Sequence, residues 1–154
     1  MAAEEILERE FPPFTFPIER GKIREWALAL RETNPVYFDP EAARAQGFRD
    51  VPAPPTFLRQ FWWETPESDP MEHLGFSVER RLLGEQEFEY LAPVVAGEVL
   101  TGRSRVVSLV EKEGRRGGKM KIAVIETRFT NQRGELVQVG RRTLIETAAP
   151  PKGS

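Results

Sequence analysis

Glu32 and Tyr37 have the clearest chemical potential in this chain, set five residues apart around Asn34-Pro35. A carboxylate at a helix end, beside an Asn-Pro turn, can be partly buried and act as a general base. The Tyr37 phenol, with an ordinary pKa of about 10, is a poor base near neutrality but a serviceable hydrogen-bond donor. A solvated helix-end charge and a packed aromatic would look the same, so type and spacing leave both roles open.

A second stretch, Val51-Pro52-Ala53-Pro54-Pro55-Thr56-Phe57, is a stiff loop feeding an aromatic segment. At a helix start it could aim backbone N–H groups at a carbonyl oxygen, as helix N-termini do for anions. It could equally be a connector capped by Thr56. Phe57, Phe61 and Trp62 suit either the wall of an apolar channel or a plain core.

Composition narrows the chemistry further. The chain has 154 residues, no cysteine and one histidine. Thiolate nucleophiles, disulfides and Cys-ligated metals are excluded, and a His-rich metal site is impossible. His73 lies in Pro66-Glu67-Ser68-Asp69-Pro70-Met71-Glu72-His73, which reads as an exposed loop, so a His-dependent triad is not expected. The formal charge of −2 argues against nucleic acid or an anionic membrane as the main partner. No apolar run approaches the ~20 residues that span a bilayer. Met1-Ala2-Ala3-Glu4-Glu5 lacks a signal peptide's basic start, so a cytoplasmic protein is expected.

The elements that must position these loops follow from periodicity. Residues 1–13 read as a short acidic helical piece, and 14–19 as a strand whose proline places it at an edge. After Gly21, a helix presents Ile23, Trp26, Ala27 and Leu30 on one face, and Pro35 ends it near Thr33. Asp39, Pro40 and Gly47 mark the N-cap, first turn and C-terminal position of a short helix. Residues 56–64 are apolar on nearly every side and read as a buried central helix. From there the period becomes two. Strands are expected at 85–91, with Phe88 and Tyr90 on one face, then at 99–112, 119–130 and 135–146. The expected fold class is α+β, a curved antiparallel sheet of about five strands wrapped around a central helix. Residues 1–147 should form one domain, with 148–154 a flexible tail. Open sheet edges favour pairing across a two-fold axis, so a dimer is expected.

Order and spacing also carry a resemblance. Gly21-Lys22-Ile23-Arg24-Glu25-Trp26-Ala27, Asn34-Pro35-Val36-Tyr37-Phe38-Asp39 and Ala53-Pro54-Pro55-Thr56-Phe57 resemble the N-terminal MaoC-type dehydratase family. Gly84-Glu85-Gln86-Glu87-Phe88-Glu89-Tyr90, followed by Pro93 and Val95-Ala96-Gly97-Glu98, resembles the sheet entry of the same family. The likeness covers about residues 14–147 and implies the hotdog fold, acyl thioesters of coenzyme A or acyl carrier protein as ligands, and no cofactor. Catalytic relatives carry Gly-Asp-x-Asn-Pro-aliphatic-His, whose Asp and His activate water. Here Arg31, Glu32 and Tyr37 stand at the Gly, Asp and His positions.

Those exchanges matter physically. One added methylene displaces the carboxylate by a distance that can cost about a hundredfold in rate. A phenol some 3 pH units too basic cannot shuttle a proton at neutrality. The resemblance therefore implies the non-catalytic subunit of a two-subunit (3R)-hydroxyacyl dehydratase or (R)-enoyl hydratase. Asn34, Pro54, Pro55 and Thr56 would shape its pocket rim, and Phe57, Phe61 and Trp62 would line an acyl channel. The alternative is a self-sufficient homodimeric hydratase or thioesterase using Glu32 and Tyr37.

Overall fold

Four long antiparallel strands at the C-terminal end of the chain form most of one sheet. The structure, a computed structural model, describes residues 3–59, 66–114 and 117–149. The helices come first: α1 (Ala3–Glu8), α2 (Arg20–Ala29) and α3 (Pro40–Ala45), with the short strand β1 (Phe14–Pro17) between α1 and α2. Strands β2 (Arg81–Tyr90), β3 (Val99–Glu113), β4 (Lys119–Asn131) and β5 (Leu136–Glu146) follow. Their order in the sheet is β1-β3-β4-β5-β2, with every pairing antiparallel. Pro17 therefore sits on an edge strand, where a missing N–H costs no ladder bond. Among the described residues no helix is long and apolar enough to cross a membrane.

The inner face of the sheet can be followed in cross-strand rows. Gly102, Phe129, Gln138 and Tyr90 form one row. Ser104, Thr127, Gly140 and Phe88 form the next, and Val106, Ile125, Arg142 and Gln86 the third. Two apolar clusters flank these rows. One gathers Phe14, Phe16, Ile18, Ile23, Phe57 and Phe129. The other gathers Ile6, Phe11, Phe76, Val106, Ile125 and Leu144. Gly102 is required where it stands, because a Cβ there would strike the Phe14 ring. Burying Phe57 completely contributes roughly 1.5–3 kcal/mol of transfer free energy.

Some expectations need correction. Helix α2 ends at Ala29 rather than near Thr33. Arg31 N–H bonds Leu28 O and Glu32 N–H bonds Ala27 O, and Arg31 takes φ 58°. This pair of bonds closes a helix with a left-handed residue, a place where glycine is usual and arginine hides the signal. Leu30 consequently leaves the apolar face and is 47% exposed. His73 is half-buried, its ring 5.4 Å from that of Phe11. Of the expected central helix only the start is described, as a 3-10 turn over 57–59; its remainder, with Phe61 and Trp62, lies outside the described residues.

Candidate functional site

The Asn-Pro stretch forms a chain of short caps that aims Tyr37. The Asn34 side chain accepts the Val36 N–H at 3.1 Å and starts a 3-10 turn over Pro35–Tyr37. Asp39 then caps α3 through the Glu41 N–H at 2.9 Å, with Pro40 in the first turn. Val36 is buried by this turn, and Tyr37 is left half-buried. Arg31 is the only non-glycine residue with positive φ among the described residues. Its left-handed backbone closes α2 and turns the chain toward Asn34.

The opposite wall is the proline loop. Pro52 bridges Val95, Ala53 N–H bonds Val94 O at 2.8 Å, and Ala96 N–H bonds Val51 O at 2.9 Å. The loop thus runs alongside the turn after β2. The Tyr90 hydroxyl donates to Pro55 O at 2.6 Å, pinning the far end. Glu98 locks the turn from beneath. Its buried carboxylate accepts the Val95 N–H at 3.0 Å and an Arg49 N–H at 2.6 Å.

Between the walls lies an open cleft of about 490 Å³. Asn34, Tyr37, Pro54 and Pro55 line it. Tyr90, Leu91, Pro93, Gln46, Phe48 and Gln138 line it as well, and the sequence did not mark them as site residues. Phe88 and Tyr90 share one face of an alternating strand, which is the sequence signal that points to Tyr90. Glu32, Thr56 and Phe57 are not among the lining residues. Thr56 accepts the Trp26 indole N–H at 3.1 Å, and Phe57 is wholly buried with its ring edge-on to Trp26. The Phe57 N–H is taken by Pro54 O at 2.9 Å, so it offers nothing to a carbonyl in the cleft.

The cleft's electrostatics are simple. Its described lining contains no carboxylate, imidazole, amine or guanidinium; only the phenols of Tyr37 and Tyr90 can ionise. Burial, and then the Glu32 negative charge, raise the Tyr37 phenol above its ordinary value, and burial raises Tyr90. Both remain neutral donors at any physiological pH. Among the described residues no three His, Asp or Glu side chains are grouped to hold a metal. The cleft can bind and orient a polarised ligand, but its described lining has no group to carry protons at neutrality.

Comparison with known proteins places this geometry. Residues 7–139 match the FAS1-like, dehydratase domain region family. The chain belongs to that family. A UPF0336 protein of Streptomyces avermitilis is 42% identical over 116 residues, covering 72% of this chain and 75% of that protein. A chain of the Mycobacterium tuberculosis HadBC (3R-hydroxyacyl-ACP dehydratase) complex superposes with a TM-score of 0.78 at 28% identity, covering 94% of this chain and 99% of that one. A MaoC-like dehydratase superposes with a TM-score of 0.76 at 25% identity, and this chain spans 43% of its length. The five-stranded curved antiparallel sheet is that of the hotdog dehydratases.

Proposed function

We propose that this family member is an acyl-thioester-binding hotdog subunit of a (3R)-hydroxyacyl dehydratase or (R)-enoyl hydratase. In this reading it works beside a second hotdog subunit that carries the catalytic Asp and His. One observation carries it: the described residues lining the cleft are hydrogen-bond donors, amides and apolar groups, with none among them able to exchange protons near neutrality. Tyr37 and Asn34 would orient the thioester, acyl-CoA or acyl-ACP, and the proline loop would fix the rim. The HadBC complex, a 3R-hydroxyacyl-ACP dehydratase, provides a precedent in a related chain. Strand β2 lies at the sheet edge with Leu82 and Leu83 more than half exposed, which suits an edge-pairing partner.

The purified chain is assayed with crotonyl-CoA, alone and with a His-bearing hotdog partner. The expected result is no hydration alone and activity in the mixture, with Tyr37→Phe raising KM more than it lowers kcat. Turnover by the chain alone that Glu32→Gln abolishes would instead establish the self-sufficient enzyme.

A further inference from the structure

The second cavity has a different character. It is a chamber of about 50 Å³ beneath the sheet, spanning the three inner rows and covered by Leu58, Arg59, Ser68 and Asp69. At about 10–15 Å³ per water position, it holds roughly three to five water-sized groups. Its walls mix Phe88 and Phe129 with a buried ion pair, Asp69 to Arg142.

Three polar atoms in this wall have no hydrogen-bond partner among the described residues: Asp69 Oδ2, Gln86 Oε1 and Gln138 Nε2. Asp69 is 3% exposed and Gln138 4%. Buried polar groups are nearly always satisfied, so such a cluster calls for an occupant. The other ends of Asp69 and Gln86 are already committed. Asp69 Oδ1 accepts from Arg142 and from the Met71 N–H, and Gln86 Nε2 donates to Arg141 O at 3.0 Å. The orphans are thus two acceptors and one donor. A hydroxyl meets the donor and one of the acceptors, accepting from Gln138 while donating to Asp69 or Gln86, and the chamber has room for one water beside it to donate to the other acceptor. A methyl group satisfies none of it. A carboxylate offers no proton to either acceptor and meets Asp69 as a like charge.

Gln138 lines both this chamber and the Tyr37 cleft, so the two cavities share that residue as a wall. We infer that the chamber is a specificity subsite for a hydroxyl group on the tail of the acyl chain whose thioester end occupies the cleft. The inference rests on the thioester reading above. The nearby groups impose a neutral, hydrogen-bonding tail rather than a plain hydrocarbon. Gly140 sits in the middle inner row, and no described atom lies within 4 Å of where its Cβ would stand, so the wall is open there.

The test is calorimetric titration of the chain, and of its complex with a catalytic partner, with octanoyl-CoA, octanedioyl-CoA and hydroxyoctanoyl-CoA isomers substituted from mid-chain to the terminus. At least one hydroxylated isomer is expected to bind about tenfold more tightly than octanoyl-CoA. Gln138→Leu should reduce that preference to near unity, and Gly140→Ala should weaken it by narrowing the chamber. Both variants are checked for an unchanged circular dichroism spectrum. If octanoyl-CoA binds as well as every hydroxylated isomer, the chamber holds only water and the inference is overturned. Tightest binding of octanedioyl-CoA overturns the hydroxyl assignment. If no thioester binds at all, the inference and the thioester reading fail together.

Discussion

The two cavities share Gln138 as a wall yet are built on opposite principles. The Tyr37 cleft is open, framed by prolines and without formal charge in its described lining. The chamber behind it is small and holds a buried Asp–Arg pair with three unsatisfied polar atoms. Burial, and then the Arg142 charge, push the Arg59 guanidinium below its ordinary value, with Asp69 opposing them. The region that looks chemically equipped in the sequence is electrostatically quiet. The region with concentrated charge comes from residues that look ordinary one by one. A cleft rim that meets solvent can leave its backbone groups to water, whereas a polar group under a sheet must find a partner or a ligand.

This contrast is sharpened most by removing one half of the buried pair. Asp69→Leu leaves Arg142 buried without its carboxylate and should cost about 3–5 kcal/mol in urea denaturation. Asp69→Leu combined with Arg142→Met should recover most of that loss. A loss below about 1 kcal/mol for the single change would show that the pair is not sealed from water.

A smaller effect is expected at the cleft. Tyr90→Phe deletes the 2.6 Å bond to Pro55 O and should cost about 1 kcal/mol. Thioester affinity should fall with it, since the proline loop loses its outer anchor. Comparable in size but opposite in sign, Arg31→Gly relieves the left-handed arginine. It should raise stability by about 0.5–1 kcal/mol, part of the gain being offset by the entropy of glycine in the unfolded chain.

The smallest effect is on titration. The chain has two tyrosines, so ultraviolet difference spectra of Tyr37→Phe and Tyr90→Phe separate their ionisations. Tyr37 should ionise above its ordinary value, and Glu32→Gln should lower it, though not fully, because burial is the larger cause. A phenol whose folded pKa is raised contributes stability that is complete below about pH 10 and lost as pH rises through the folded value. An unchanged Tyr37 titration in Glu32→Gln would mean that the two side chains do not sense each other.

The sequence alone located β3, β4 and β5, because an alternating pattern with one buried face marks a strand, whereas β2 begins at Arg81, ahead of the expected 85, where its residues are mostly exposed and the alternation is weak. It determined both ends of α3 as well, since Asp39 and Pro40 at the start and Gly47 at the end each act within one turn of chain. It placed Asn34, Tyr37, Pro54 and Pro55 near one another only through family likeness, and the folded chain brings them to one cleft. The end of α2 was illegible because an arginine occupies a left-handed position. The chamber was beyond reach for a deeper reason. Asp69, Gln86, Gln138 and Arg142 come from three separate stretches of chain, and each has an ordinary local role. Only the pairing of β2 with β5, and the 66–73 segment folded over them, puts these residues around one chamber. Local rules govern what a residue does to its own turn, whereas the cost of an unpaired polar atom depends on what the rest of the chain lays over it.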